Sequence, residues 1–436
     1  MNALTGTVSA FCRREGIVLQ GKTVLTALSG GRDSAALLHV LLELSVKEGF
    51  AVVAAHYNHH LRETAARDEN FVKQLCAAKG IPLALGGGEV RAFAEEAGTS
   101  LEDAARTLRY RFLEETAEEL GADFIATAHH AGDNAETVLM NLLRGTGLRG
   151  LGGIPPVRGR IIRPLLTVSR DEINDYIKKN DLPYVEDETN AQTVYTRNRL
   201  RHELLPLLEE ISPGSTERIA LAAERLRQDE DYLRRQAEGM LPPADETGGT
   251  TIPSDVLKTV HPAVAVRLVR LAAQRMDTEL TAAQVESLLS LGHGIIVLPK
   301  GLRATRDSAG LCFYRVPTLP PPLALHEGEQ EWGEYRVTVR MTEEETAEDE
   351  NTLVLRSDSE QLTIAAWDGT GRLTVENGRR TVKRLLADRG IGPAQQENRP
   401  AIYAGDTLAA VFGAGTGREF APIDGKKLVI TLVKRG

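Results

Sequence analysis

From near the N-terminus to about Pro206, short runs rich in apolar and β-branched residues alternate with longer stretches whose apolar positions recur every three or four residues. The β-rich runs are Thr23–Leu28 (TVLTAL), Ala51–His56 (AVVAAH), Ile81–Leu85 and Asp123–Ala128 (DFIATA). Helical stretches such as Ala35–Glu43 and Ser100–Glu119 separate them. This alternation predicts an α/β fold, a doubly wound parallel sheet covered by helices. Ser169 and Glu172 stand three apart before an apolar run, the spacing of a capping box, so a helix is expected to open there.

From Ser215 to about Leu289 the period is helical, and ERIALAAERLR (Glu217–Arg227) predicts an amphipathic helix. Ile295–Val316 reads as two short strands around the turn Arg306–Gly310. Pro317–Pro322 is proline-rich and Thr342–Asn351 is mostly acidic, compositions expected of linkers or solvated loops. A smaller mixed unit follows, with β-rich runs at Leu353–Arg356 and Ala409–Phe412 and a helix over about Thr381–Arg389. The pattern divides the chain into an α/β domain over 1–212, a mainly helical domain over 213–318 and a small α+β domain over 325–436.

The length of 436 residues fits such a division. No stretch approaches the ~20 consecutive apolar residues of a membrane span. The N-terminal MNALTGTVSAFCRREG carries Arg13, Arg14 and Glu15 and lacks a signal-peptide core, so a cytoplasmic location is expected. Cys12, Cys76 and Cys312 never form CxxC and offer no disulfide framework, zinc ribbon or iron–sulfur cradle. The net charge of −9 gives no support to nucleic-acid binding through bulk charge, although a local basic face would suffice.

Three glycine-rich segments compete for a nucleotide. Gly16–Thr23 (GIVLQGKT) satisfies the Walker A spelling but precedes a strand, whereas that loop must leave a strand and open a helix. Gly145–Gly150 (GTGLRG) spells GxGxxG but follows the helical run Ala135–Arg144, so a loop beside the site is the better reading. Ser29-Gly30-Gly31-Arg32-Asp33-Ser34 lies between the strand Thr23–Leu28 and the helix Ala35–Glu43. Its glycines allow tight curvature and close approach of amides to an anion, its serines add donors, and the helix start adds a favourable dipole.

A second informative run, AHHAGDNAET (Ala128–Thr137), begins where the strand Asp123–Ala128 ends, the edge at which α/β enzymes bind ligands. Asp133, Glu136 and Thr137 would share one helix face, and the two carboxylates could bind a cation, either Mg²⁺ or an ammonium. The bland alternative is helix capping by Asp133 beside a solvated Glu136.

SGGRDS resembles the SGGxDS signature of the PP-loop ATP pyrophosphatases. That resemblance implies an ATP loop over Ser29, Gly30, Gly31, Arg32, Asp33 and Ser34, with Asp33 holding Mg²⁺ against the phosphates. Further segments are similar to the tRNA(Ile)-lysidine synthetase family. They are the HxxDNxxET-like run above, AARTLRY (Ala104–Tyr110), RPLL (Arg163–Leu166), and DETN (Asp187–Asn190) with YTRNRLRHELLP (Tyr195–Pro206). Val382–Gly413 resembles the family's small terminal domain. One departure is NHHLR (Asn58–Arg62), where His60 stands in place of the family's glycine. The cluster His56, His59 and His60 has only Glu63 as a near carboxylate, a poor set for zinc.

The resemblance implies ATP-dependent ligation of free L-lysine to the wobble cytidine of a CAU-anticodon tRNA(Ile). ATP adenylates the C2 carbonyl oxygen, releasing pyrophosphate; the lysine ε-amine then attacks C2 and expels AMP. It implies catalytic roles for Asp33, Asp133, Glu136, Arg106 and His129, with Arg106 balancing phosphate or carboxylate charge. Arg197, Asn198, Arg199 and Arg201 would line the pocket for the target base, and Arg380, Lys383 and Arg384 would grip tRNA phosphates. A charged, solvated helix face is the competing reading of both basic stretches. The chain could pair as a homodimer. A thiouridine- or thiocytidine-forming relative is the alternative, and it would need catalytic cysteines that no motif here contains.

Overall fold

The computed structural model describes residues 3–60, 65–185, 196–245, 248–316, 318–359, 361–375, 378–423 and 425–435. The chain forms two compact units, Met1–Tyr232 and Leu233–Gly436. The expected boundary at 212/213 lies in the short connection between two helices, and most of the second of these counts with the first unit.

The first unit is built on a six-stranded sheet. Its strands are β1 (Thr23–Ala27), β2 (Ala51–Asn58), β3 (Leu83–Gly87), β4 (Phe124–Ala126), β5 (Val157–Arg158) and β6 (Ile161–Ile162), in the order β3-β2-β1-β4-β6-β5. All neighbours are parallel except the β5–β6 hairpin. Among the described residues the accompanying helices are α1 (Ala3–Arg14), α2 (Arg32–Glu48), α3 (Ala65–Lys79), α4 (Val90–Ala97), α5 (Leu101–Glu119), α6 (Ala131–Leu143), α7 (Leu148–Leu151), α8 (Arg170–Lys179), α9 (Thr196–Arg199), α10 (Leu205–Ile211) and α11 (Ser215–Met240). A π-helical turn, Leu200–Leu204, joins α9 to α10. The predicted capping box is present: Ser169 accepts from the Glu172 amide, and Glu172 returns to Ser169 N.

Burial fixes both faces of the sheet. Phe11, Leu37, Leu41, Ile173 and Tyr176 bring α1, α2 and α8 into one core, while Leu113 and Ala117 of α5 join Leu25 and Ile125 in another. From β1 the chain moves outward to β2 and β3, then returns to the other side of β1 as β4. The reversal leaves a crevice at the carboxyl ends of β1 and β4, the place where open α/β sheets bind ligands.

The second unit carries an antiparallel sheet from residues 250–253, 310–315, 302–306 and 294–297, backed by the helices Pro262–Arg275 and Ala282–Ser290. The helical middle expected from sequence thus adds a four-stranded sheet, with the expected turn at Arg306–Gly310. Beyond it lie a four-stranded and a five-stranded sheet, a hairpin of 372–375 with 378–381, and the helix Val382–Asp388 capped by Thr381. Part of the acidic stretch proves structural, because Glu348 accepts from Val354 N at 3.1 Å and from the Thr416 hydroxyl.

Candidate active site

Two loops meet at the crevice. After β1, Gly30 adopts φ +88°, and a Cβ there would lie 3.3 Å from Val72 Cγ2 and 3.4 Å from Phe71 Cδ1. Only glycine takes that conformation without strain. Gly31 is the N-cap of α2 and supplies no capping side chain, so the first-turn amides of a 17-residue helix have no side-chain cap. The Ser29 and Ser34 hydroxyls lie 3.1 Å apart, and Gly31 N donates to Ser29 Oγ at 3.3 Å. Hydroxyls, amides and helix dipole together suit an anion.

After β4, His130 caps α6 and Asp133 closes its box, accepting from His130 N at 3.0 Å. Gly132 N donates to His130 Nδ1 at 3.0 Å, which leaves Nε2 for other partners. That nitrogen stands 3.9 Å from Asp33 Oδ2 and 3.7 Å from Asp133 Oδ2. His130 therefore bridges the two loops. It was not among the site residues chosen from sequence, where its neighbour His129 was preferred.

Asp133 and Glu136 share one helix face, and both are already held. Arg201 reaches both oxygens of Glu136, with Nη2 to Oε2 at 3.0 Å, and donates to Asp133 Oδ1 at 2.8 Å. Arg197 Nε donates to Glu136 Oε2 at 2.9 Å. The Glu136 side chain is 2% exposed, so the solvated carboxylate of the bland reading does not occur. Burial raises the proton affinity of Asp133, but its surroundings, the Arg201 guanidinium and the His130 backbone N–H among them, outweigh it and hold the carboxyl below the ordinary aspartate range.

His129 has its Nδ1 3.0 Å from the Thr127 hydroxyl. Burial, with Arg163, Arg109 and Arg106 adding to it, lowers its proton affinity against the pull of Asp133. The ring is thus neutral and a weak base. Arg106 lies with its guanidinium carbon 5.0 Å from the Tyr110 ring centroid, and Arg109 approaches the same ring at 5.4 Å. Burial resists ionisation of Tyr110, but Arg106, Arg109 and Arg163 overcome it and hold the phenol below its ordinary value. Arg163 of the RPLL run is 2% exposed and donates Nη1 to Pro155 O at 2.6 Å.

The other sequence-chosen residues are dispersed. Arg199 is exposed and pairs with Glu203 at 3.1 Å, while Asn198 lies between Arg197 and Arg199 on α9. In the second unit Arg380 and Arg384 both pair with Asp388, at 3.1 and 3.0 Å, beside the exposed Lys383. Asp187–Asn190, Tyr195, Leu61, Arg62 and Glu63 lie outside the described residues. His60 has φ +50°, which accounts for the glycine of the family pattern at that position.

Among the described residues no cluster of three or more His, Cys, Asp or Glu side chains forms a metal site. The donor set is still that of a phosphate-assisted Mg²⁺ site, which takes one or two carboxylates and draws its other ligands from phosphate and water. Asp33, in the first turn of α2, supplies such a carboxylate beside the anion-binding amides.

A phosphate loop with a first-turn aspartate at the switch point of a parallel sheet defines a PP-loop domain. A family model described as "PP-loop domain" matches residues 7–208, and one described as "TilS substrate C-terminal domain" matches residues 362–431. A tRNA(Ile)-lysidine synthase of Geobacter sulfurreducens is 31% identical over 473 aligned residues, covering 100% of this chain and 98% of that protein. The Bacillus subtilis enzyme of the same name is 30% identical, covering 91% of this chain and 90% of its own. That of Bacteroides thetaiotaomicron reaches 47% identity over 208 residues, 48% of each chain. The chain belongs to the tRNA(Ile)-lysidine synthase family.

Proposed function

We infer that this chain makes lysidine, joining L-lysine to C2 of the wobble cytidine of CAU-anticodon tRNA(Ile) at the expense of ATP, with AMP and pyrophosphate as products. The observation that carries the reading is the meeting of the Ser29–Ser34 loop with the His129–Glu136 segment, bridged by His130 between Asp33 and Asp133. An anion cradle and a carboxylate pair side by side serve a reaction that first activates an oxygen with ATP and then admits an amine.

The amides of Arg32, Asp33 and Ser34 and the serine hydroxyls would hold the polyphosphate, with the glycines allowing its approach. Mg²⁺ on Asp33 would neutralise phosphate charge. Adenylation turns the C2 oxygen, a poor leaving group, into part of AMP. The incoming amine is an ammonium in water, with a pKa near ~10.4, so it must be bound and stripped of a proton. Asp133 and Glu136 would bind that cation by exchange with the guanidiniums of Arg197 and Arg201. Those two arginines, with Asn198 and Arg199, then become available to the tRNA. Arg106, with Arg109 beside it, offers positive charge to a phosphate or carboxylate, and His129 acts as a neutral hydrogen-bonding group. Arg380, Lys383 and Arg384 would grip tRNA phosphates from a C-terminal domain over 325–436, with 213–318 as the middle tRNA-binding domain. We place the enzyme in the cytoplasm with its tRNA substrate and allow a homodimer; no described helix is long and apolar enough to cross a membrane.

Sulfur transfer is disfavoured. Cys12 and Cys76 are buried, and burial pushes the Cys12 thiol up to about 12. The test is pyrophosphate release with the CAU transcript in the absence of lysine. Release is expected, and none with a transcript carrying adenosine at the wobble position, which has no C2 carbonyl. Equal release from both transcripts would overturn the reading.

A further inference from the structure

Two arginines approach the Ser29–Ser34 loop, and their side chains serve different partners. Arg32 belongs to the loop, yet its guanidinium is spent on α8 and the segment beyond it. Nη1 donates to Asn174 Oδ1 at 2.7 Å, Nη2 donates to Tyr184 Oη at 3.3 Å, and the guanidinium carbon lies 4.9 Å from the Tyr184 ring centroid. A planar fork engaged in this way is a tie between elements.

Arg170 comes from the opposite direction. It is the first residue of α8, and its Nη1 lies 2.9 and 3.2 Å from the two oxygens of Asp33. A cation in the first turn opposes the helix dipole, so α8 gains nothing from it; the acidic Asp171 and Glu172 beside it are the residues that suit that turn. The pair is accessible, with side chains 42% and 27% exposed, so water screens it and it parts easily. Both oxygens of Asp33 share this one nitrogen, and a hard cation taking either would release it.

We propose that Arg170 is the guanidinium that binds the polyphosphate of ATP, held on Asp33 until nucleotide and metal arrive, and that the Arg32 side chain is a structural tie. Asp33 and the amides of α2 belong to the same turn, so an arginine released from one stands beside the other. Its fork can then hold two phosphate oxygens, which a lysine in its place would meet only as a point charge. This rests on the ATP reading above.

The test is calorimetric binding of a non-hydrolysable ATP analogue with Mg²⁺ to the full-length wild type, R170A, R170K and R32A, followed by KM values for ATP and lysine. R170A is expected to bind the analogue about tenfold or more weakly and R170K to recover part of the loss. The KM for ATP should rise in R170A while that for lysine holds, with an unchanged melting temperature. R32A should melt earlier and lose less affinity than R170A does, and R32K serves if R32A fails to fold. Wild-type affinity in R170A, or a larger loss in R32A or R32K than in R170A, would overturn the proposal. Failure of the wild type to bind the analogue would defeat the ATP reading itself, a distinct result.

Discussion

Arg201 grips Glu136 with two nitrogens, Nε on one carboxylate oxygen and Nη2 on the other at 3.0 Å, in a setting where only 2% of the glutamate side chain is exposed. If Glu136 receives the lysine ammonium, one cation replaces another. Glu136→Gln should therefore raise the KM for lysine by about tenfold or more, while tRNA-dependent pyrophosphate release without lysine changes little. An unchanged lysine KM would restrict Glu136 to holding Arg197 and Arg201.

The same pair makes a stability prediction. Removing the carboxylate takes a partner from two guanidiniums, with Arg201 keeping Asp133, and breaking a buried pair from one side costs about 3–5 kcal/mol. Arg201 is 27% exposed and can reach water, so roughly 2 kcal/mol is expected for Glu136→Ala in urea unfolding. Glu136→Ala combined with Arg201→Ala should lose less than the sum of the single losses.

In the loop, Gly30 and Gly31 should respond differently to alanine. Gly30→Ala forces a left-handed conformation at φ +88° on a residue with a Cβ and crowds Val72, so about 1–2 kcal/mol of stability should go along with ATP affinity. Gly31 has φ −73° and only Ser29 Oγ near its Cβ position, at 3.5 Å. Its alanine variant should unfold within about 0.5 kcal/mol of wild type.

Glu209 gives a pH prediction remote from the chemistry. It accepts from Gly214 N and Thr216 N, both at 2.7 Å, and from the Ser215 hydroxyl at 3.0 Å, so it caps α11 from the end of α10. The Thr216 interactions foremost, then Gly214 and Ser215, hold its pKa at about 2. A depressed carboxylate stabilises above its unfolded pKa of about 4.3, and that stability is lost as pH falls toward the folded value. The gap between wild type and Glu209→Gln in urea unfolding should be constant above about pH 5 and shrink below pH 4. A gap independent of pH would show that the cap does not depend on charge.

The sheet and its phosphate loop were legible because each rests on local chemistry. The run Thr23–Leu28 is apolar and β-branched and is buried through Val24, Leu25 and Thr26, Gly30 and Gly31 bend the chain, and the apolar period resumes at Ala35. Ser100, Ser169 and Thr381 announce their helices as caps. The third strand was placed early, at Ile81–Leu85 instead of Leu83–Gly87, because Gly86 and Gly87 have no strand propensity of their own. Pairing with Tyr57 and Asn58 makes them strand. The site was only half legible. Asp33, Asp133 and Glu136 stand in motifs, but their partners Arg170, Arg197 and Arg201 reach them over separations of 61 to 137 residues that no local pattern encodes. His130 was harder to find, since a capping box is spelled with Ser or Thr and Glu or Gln, and His130 with Asp133 fills it in geometry only.

The central claim is tested most directly by incorporation of labelled L-lysine into CAU-anticodon tRNA(Ile) transcript with ATP and Mg²⁺, run beside Asp33→Ala. The account predicts ATP-dependent label on the tRNA in the wild type and none in the variant. ATP turnover to AMP by the wild type with no label on the tRNA would contradict it, and would require a nucleophile other than lysine.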